Sequence, residues 1–161
     1  MTVVLAYIGI GANLGDPQAA VWAAIDDCRA IERTQLTAVS SLYASAPIGS
    51  SGPDYVNAVV AAQTSLSPLE LLSVLQRIEA RHGRLRPYRN APRSLDLDLL
   101  LYGRQIVDLP ELGVPHPRLH ERAFVLLPLL EIAPMVDIPG RGLAEHWRGS
   151  VADQRIARLT G

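Results

Sequence analysis

The chain contains no lysine, and all fifteen of its basic residues are arginine. A Walker A loop needs Gly-Lys-Ser/Thr and a protein kinase needs a lysine on one of its strands, so both kinds of site are excluded. Schiff-base chemistry on a lysine side chain is excluded for the same reason. Any phosphate group that this protein binds must therefore be held by arginine side chains, backbone amides or a metal ion.

Cysteine, aromatic residues and long apolar runs are also scarce. The single cysteine, Cys28, excludes an internal disulfide and a cysteine-rich zinc site. No apolar run is long enough to cross a bilayer, and the first residues lack the basic segment of a signal peptide. With a net charge of -1 and 5% aromatic residues, the composition indicates no nucleic-acid or membrane partner. We therefore expect a cytoplasmic protein.

The hydrophobic pattern predicts a single domain over residues 1–161, in which strands and helices alternate. Strands are predicted at 3–10, 36–45, 55–64 and 95–101, and amphipathic helices at 17–31 and 68–82. The order β-α-β-β-α-β with long strands is typical of a ferredoxin-like α+β fold, whose antiparallel sheet carries its helices on one side. The residues after this core predict a helical C-terminal extension.

Two aspartates interrupt the apolar run SLDLDLLL at residues 94–101. If this run is a strand, Asp96 and Asp98 share one face, with their Cα atoms roughly 6.5 Å apart. Two carboxylates that close repel each other unless they bind a proton or a cation. Mg²⁺ is commonly held by one or two carboxylates together with substrate phosphates, so a metal site is the favoured interpretation. The alternative is a solvated polar face on an edge strand.

An arginine-rich connection precedes this strand. Residues 77–93 contain six of the fifteen arginines, and four of these lie in a polar segment, namely Arg84, Arg86, Arg89 and Arg93. Guanidinium groups bind phosphate oxygens bidentately, so a lid of this kind would position a metal-bound polyphosphate and neutralise its charge. A merely solubilising loop is the alternative interpretation.

A second candidate site combines aromatic and amide side chains. Tyr55 and Asn57 lie two residues apart on the third predicted strand and so share a face. A flat heterocycle can stack on such a ring and hydrogen-bond to such an amide. Core packing is the alternative for Tyr55 and for Phe124, the only phenylalanine. His116 lies between two prolines and is a candidate for contacting a phosphate or a base.

Four stretches together resemble the 6-hydroxymethyl-7,8-dihydropterin pyrophosphokinase family of folate biosynthesis. They are IGIGANLGDP, PDYVNAV, APRSLDLDLLLYG and VPHPRLHERAFVLLPL, and the resemblance covers almost the whole chain. It implies transfer of the β,γ-pyrophosphoryl group of ATP to the hydroxymethyl oxygen of the pterin, which yields AMP and the pterin diphosphate. It further implies two Mg²⁺ ions, ATP as the co-substrate and a monomeric protein.

The resemblance also implies roles for individual residues. Asp96 and Asp98 match aspartates that hold the Mg²⁺ ions, and the loop residues Arg84 and Arg93 match arginines that assist the chemical step. Residues matched to the pterin site are Ser45, Pro47, Ile48, Gly49, Tyr55, Asn57, Asp96 and Phe124, with the two aromatic rings enclosing the pterin. Residues matched to the ATP site are Gln76, Glu79, Arg84, Arg93, Leu99, His116 and Arg122.

Some positions depart from the family's pattern. The arginine-rich connection is one residue shorter than in some members, and Asn90 lies near a position where some members have tryptophan. Gly113 and Pro117 stand where some members have hydroxyl-bearing residues that contact ATP. We expect these departures to tune affinity without removing activity.

Two alternative functions stay open on the sequence. One is a metal-dependent nucleotidyltransferase that uses Asp96 and Asp98 with a different acceptor. The other is a non-catalytic ferredoxin-like module that binds RNA, which would need exposed aromatic residues and a basic sheet face. No side chain stands out as a dedicated general base.

The substitution Arg93→Ala is expected to lower kcat by about tenfold or more while weakening ATP binding less, because a lid arginine acts mainly on transition-state charge. Steady-state kinetics and a titration with ATP measure the two quantities. A loss of ATP affinity with an unchanged kcat would contradict this expectation.

Overall fold

Six strands form one antiparallel sheet in the computed structural model, which describes residues 2–46, 54–83 and 95–159. In chain order the strands are β1 (Val4–Ala12), β2 (Thr34–Val39), β3 (Tyr43–Ser45), β4 (Tyr55–Thr64), β5 (Asp96–Tyr102), β6 (Val107–Leu109), β7 (Leu112–Val114), β8 (Asp137–Ile138), β9 (Gly142–Leu143) and β10 (Ile156–Arg158). The main sheet has the order β10-β3-β4-β1-β5, and β2 pairs with the other end of β4. Strand β1 is therefore central, between β4 and β5.

The strand predicted over 36–45 is divided into β2 and β3. Strand β2 pairs with the second half of β4 and β3 with the first half. Between them the backbone N–H of Ser40 donates to the Val59 carbonyl, and the Ser40 hydroxyl accepts from the Val59 N–H, both at 2.9 Å. Because the Ser40 side chain accepts the hydrogen bond of a β4 backbone N–H in place of a strand carbonyl, the regular ladder of backbone hydrogen bonds ends at that point.

Two amphipathic helices cover one face of the sheet. They are α1 (Pro17–Arg29), capped by the Asp16 side chain, and α2 (Pro68–His82), which begins with a capping box between Ser67 and Glu70. Their buried stripes pack against alternate residues of the central strands, and this cluster includes Val21, Ile25, Leu71, Leu75 and Ile78 with Ile8, Ile10, Val60, Leu97 and Leu99. Both predicted helices are thus confirmed, and they share one face.

The opposite face is covered in part by α3 (Ala123–Ile132). Leu126 and Leu129 of this helix are fully buried in a cluster with Tyr7 and Val59 of the sheet. Leu100 reaches this cluster by alternation with Asp96 and Asp98, and a bulge between β1 and β5 adds Leu101, because Leu99 lies opposite Ile8 and Leu101 lies opposite Tyr7. None of the helices in the described part of the chain combines the length and apolar character that a membrane-spanning helix needs.

The carboxylate of Glu131 ties α3 to β3 and β10. It accepts hydrogen bonds from the Ser41 N–H at 3.0 Å, the Ser41 hydroxyl at 2.9 Å and the Tyr43 hydroxyl at 2.8 Å, and Arg158 pairs with it at 2.6 Å. Burial raises the pKa of the Glu131 carboxyl, but the hydrogen bonds from Tyr43, Ser41 and Arg158 outweigh it and lower the pKa overall. Burial and the bond to this carboxylate raise the pKa of Tyr43 to about 12.

The substitution Glu131→Gln is expected to cost about 2 kcal/mol of unfolding free energy at pH 7, because Tyr43 and Arg158 lose a charged partner. Since the folded-state pKa lies below the unfolded value, this stabilisation is present above about pH 4.3 and is lost as the pH falls through the folded-state pKa. Urea unfolding of both proteins at pH 7 and at pH 3 measures the difference.

The matched control is Glu145→Gln, which removes an exposed carboxylate paired with Arg148. It should change stability little at either pH, since exposed ion pairs are screened by water. A loss in Glu131→Gln that is the same at pH 3 as at pH 7 would rule out the charged carboxylate as the stabilising group.

Candidate functional site

A pocket of about 210 Å³ opens beside α3, on the part of the second sheet face that this helix leaves uncovered. It collects residues from three adjacent strands and from the start of α3. Its lining includes Gly9, Gly11, Ala46, Tyr55, Asn57, Asp96, Asp98, Arg122 and Phe124. The carboxylate pair predicted from SLDLDLLL and the aromatic–amide pair predicted on the third strand therefore line one pocket.

The strand register sets the arrangement of these side chains. Gly11 of β1 lies opposite Asn57 of β4 on one side and opposite Asp96 of β5 on the other. Gly9 lies opposite Asp98 in the same way. A Cβ atom on Gly11 would lie 3.0 Å from the Asn57 Nδ2 atom, so the amide would have to shift by a few tenths of an ångström to accept it. The two glycines form a floor without side chains between the amide and the carboxylates.

Sequence reasoning missed the role of Gly9 and Gly11. The signal was present in the opening strand, where glycine alternates with isoleucine as Ile8, Gly9, Ile10, Gly11. Both isoleucines are buried under α1 and α2, so the glycines face the pocket. Regular alternation of glycine with large apolar residues in a strand indicates that something must approach the backbone on the glycine side.

Asp96 and Asp98 present two carboxylates to the pocket. Asp96 is half-buried and Asp98 is exposed, and neither faces the leucine-lined core. Among the residues that the structure describes, no group of three or more His, Cys, Asp or Glu side chains could enclose a metal ion. Two oxygen donors fit a hard cation such as Mg²⁺ only if water and substrate oxygens complete its six ligands. This donor set suits a cation that is bound together with a polyphosphate.

The amide of Asn57 is held in one orientation by Ser45. The Ser45 hydroxyl donates to the Asn57 Oδ1 atom at 2.7 Å, and both side chains are 4% exposed. The Asn57 carbonyl oxygen is thereby engaged, and its NH₂ group lies toward Gly11 and the pocket. Tyr55 and Phe124, both half-buried, also line the pocket. The Arg122 guanidinium lies 5.6 Å from the centre of the Phe124 ring, within the range of a cation–π contact.

His116 is half-buried close to the carboxylates. Its Nδ1 atom accepts a hydrogen bond from the Arg118 N–H at 3.1 Å, so the neutral ring carries its proton on Nε2. The backbone N–H of His116 donates to the Leu100 carbonyl at 2.9 Å, which holds this residue beside β5. Burial lowers the pKa of His116, the charge of Asp98 raises it, and Arg122 and Arg118 lower it. These effects place His116 in the electrostatic surroundings of Asp98 and Arg122.

Besides His116, three predicted ATP-site residues lie outside the pocket lining. Gln76 is exposed on α2. The Glu79 Oε2 atom accepts a hydrogen bond from the Leu97 N–H at 2.8 Å. Leu99 is 3% exposed and its side chain packs in the core beneath α1 and α2, so only its backbone can satisfy the predicted ATP contact. Strand alternation explains this last placement, because Leu99 follows Asp98 and faces the other way.

Five predicted site residues lie outside the described residues. They are Pro47, Ile48, Gly49, Arg84 and Arg93. Their roles stay predictions.

Comparison with known proteins gives a consistent result. A family model described as 7,8-dihydro-6-hydroxymethylpterin-pyrophosphokinase (HPPK) matches residues 7–134. The chain is 48% identical over 141 residues to the 2-amino-4-hydroxy-6-hydroxymethyldihydropteridine pyrophosphokinase of Pseudomonas aeruginosa, covering 86% of this chain and 87% of that protein. It is 42% identical to the protein of the same name from Haemophilus influenzae, over 98% of this chain and 99% of that one.

Solved structures support the same fold. The crystal structure of wild-type Plasmodium falciparum HPPK-DHPS with pteroate superposes with a TM-score of 0.75 at 11% identity, over 98% of this chain. An HPPK-DHPS structure in complex with substrates gives a TM-score of 0.71 at 13% identity, over 92% of this chain. The chain spans 48% and 43% of those two structures, so the likeness concerns one part of each.

The substitution Gly11→Ala is expected to weaken binding of the pterin that the resemblance implies by about tenfold, because the added Cβ shifts the Asn57 amide by a few tenths of an ångström and adds a methyl group to the pocket floor. Calorimetric titration with the pterin measures the affinity, and thermal unfolding checks that the fold is kept. Gly149→Ala is the control, since its Cβ would meet nothing within 4 Å. An unchanged affinity in Gly11→Ala would contradict a ligand site over Gly11 beside Asn57.

Proposed function

The chain belongs to the 7,8-dihydro-6-hydroxymethylpterin-pyrophosphokinase family, and we propose that the pocket over β1, β4 and β5 is the place of the family's reaction. The protein transfers the pyrophosphoryl group of ATP to the hydroxymethyl group of 6-hydroxymethyl-7,8-dihydropterin in folate biosynthesis. ATP is its co-substrate.

One observation supports this assignment of the pocket more than any other. Asn57, Gly11 and Asp96 lie in one row across three paired strands. The row places a buried, oriented amide on one side of a glycine and a carboxylate on the other. A pterin that spans this row would hydrogen-bond to the amide at one end of its ring system and present its hydroxymethyl group to the carboxylate side at the other end.

The pterin is proposed to occupy the β4 side of the pocket. Tyr55 and Phe124 supply aromatic surface for stacking on a flat ring, and the Asn57 NH₂ group supplies a donor for its edge. Ser45 supports this donor by engaging the Asn57 carbonyl oxygen. The segment after Ala46 is proposed to complete the pterin site with Pro47, Ile48 and Gly49.

The polyphosphate of ATP is proposed to lie on the β5 side. Asp96 and Asp98 would hold two Mg²⁺ ions, which when bound neutralise phosphate charge and acidify the attacking hydroxyl. Arg122 and the Nε2–H of His116 can donate to phosphate oxygens near the carboxylates. Arg84 and Arg93 would add charge from the connection before β5, and Gln76 is proposed to contact the nucleotide. Oriented donors of this kind stabilise charge that develops in transfer of a pyrophosphoryl group.

We also propose a ferredoxin-like topology, a monomeric state and a cytoplasmic location. With β2 and β3 counted as one position, the order β5-β1-β4-β2 together with α1 and α2 on one face corresponds to a ferredoxin-like arrangement. A monomeric, cytoplasmic enzyme accords with the resemblance. The RNA-binding alternative loses support, because α1 and α2 cover one sheet face and α3 covers part of the other, and a base-stacking platform would need an open face.

Product analysis distinguishes this function from nucleotidyl transfer. Incubation with ATP, Mg²⁺ and 6-hydroxymethyl-7,8-dihydropterin should yield AMP and the pterin diphosphate in equal amounts. Asp96→Asn and Asp98→Asn should each lower kcat by about a hundredfold or more, because removing a metal ligand forfeits several kcal/mol of charge stabilisation. Release of pyrophosphate, or near-normal turnover in either variant, would refute the proposal.

The control for these variants is Asp26→Asn, which removes an exposed charge on α1 far from the pocket lining. It should leave turnover unchanged. Thermal unfolding should give similar midpoints for all four proteins, since Asp98 is exposed and Asp96 half-buried.

A further inference from the structure

Glu79 contacts β5 at the residue that lies between the two aspartates. Its Oε2 atom accepts the Leu97 N–H at 2.8 Å, and Leu97 is flanked by Asp96 and Asp98. We propose that Glu79 is a positioning residue, which fixes the backbone of β5 so that the carboxylate pair is held ready for its cations. This inference rests on the proposed function and adds to it a residue that acts through the strand.

The start of β5 lies along an edge of the sheet and faces glycines of β1. In the part of the chain that the structure describes, β5 pairs with β1 alone and so forms an edge of the sheet. The residues of β1 opposite the aspartates are Gly11 and Gly9, which offer no side chains for cross-strand contacts. The two carboxylates also repel each other before a cation binds. A backbone anchor between them opposes the local fraying that these features favour.

Helix α2, which carries Glu79, is itself packed tightly against the sheet. Leu75 and Ile78 are 0% and 1% exposed, and they share one buried cluster with Leu97. Glu79 directly follows Ile78, and the Gly83 N–H donates to the Glu79 carbonyl at 2.9 Å where the helix ends. The carboxylate therefore projects from the last turn of a helix that is packed against the strand it binds. A charged acceptor makes this a stronger hydrogen bond than a neutral one.

The family resemblance assigns Glu79 to the nucleotide side, and the hydrogen bond to Leu97 adds a different role. If Glu79 bound ATP directly, its side chain would contact the nucleotide, and both substitutions would change that contact. The positioning role requires only an acceptor oxygen at the Leu97 N–H. Substitutions that keep or remove such an oxygen separate the two roles.

Glu79→Gln keeps an acceptor oxygen, whereas Glu79→Ala removes it. We expect Glu79→Ala to raise the Mg²⁺ concentration for half-maximal velocity by about tenfold and to lower kcat, because the carboxylates are no longer held in register. Glu79→Gln should stay within about threefold of the wild type in both quantities, since a neutral acceptor still makes the bond. ATP affinity measured without Mg²⁺ should be unchanged in both variants.

Hydrogen exchange of the Leu97 amide gives a readout that needs neither metal nor turnover. This N–H should exchange slowly in the wild type and in Glu79→Gln, and about tenfold or more faster in Glu79→Ala. Arg77→Ala is the control for altering the exposed side of α2 and should leave the exchange, the Mg²⁺ requirement and kcat unchanged.

The possible results separate this inference from the proposed function. Unchanged Leu97 exchange in Glu79→Ala, or an unchanged Mg²⁺ requirement in an active Glu79→Ala enzyme, would overturn the positioning role. Weaker ATP binding without Mg²⁺ in both variants would overturn it in favour of direct nucleotide contact. A wild-type protein that forms no AMP would overturn the proposed function, and the positioning role with it.

Discussion

The pairing of β1 with β4 on one side and β5 on the other is the constraint on which the site depends. Residues directly opposite one another in an antiparallel pair present their side chains on the same face. Backbone hydrogen bonds alone therefore make neighbours of Asn57, Gly11 and Asp96, and no side-chain contact is needed for this. Glycine in the central strand keeps the space between them open.

The helices determine which part of this sheet face is available. Helix α3 is apolar along most of its length, and it buries Leu126 and Leu129 against Tyr7 and Val59. Hydrogen bonds to Glu131 then fix its far end against β3 and β10. With α3 held there, its first residues Phe124 and Val125 become one wall of the pocket, so core packing and pocket shape come from the same helix.

Local patterns in the sequence predicted much of this arrangement. The alternation of aspartate and leucine in SLDLDLLL indicated that both carboxylates share one face, and the hydrophobic pattern over 17–31 and 68–82 predicted α1 and α2. The division of the predicted strand 36–45 was not foreseen, because it depends on Ser40 bonding to Val59 of another strand. The contact between Glu79 and Leu97 likewise joins residues 18 positions apart, and no local period reports it.

The placement of the two aspartates also bears on how reliably the chain reaches its fold. A slip of β5 by one residue would exchange its faces and drive both carboxylates into the leucine- and isoleucine-rich space beneath α1 and α2. Burying two unpaired charges there would be very costly, so misaligned pairings are strongly disfavoured. The carboxylates of Asp96 and Asp98, which are proposed to bind the cations, thus also favour the correct strand register during folding. A variant with two neutral, apolar residues in their place would lose this discrimination between correct and shifted strands.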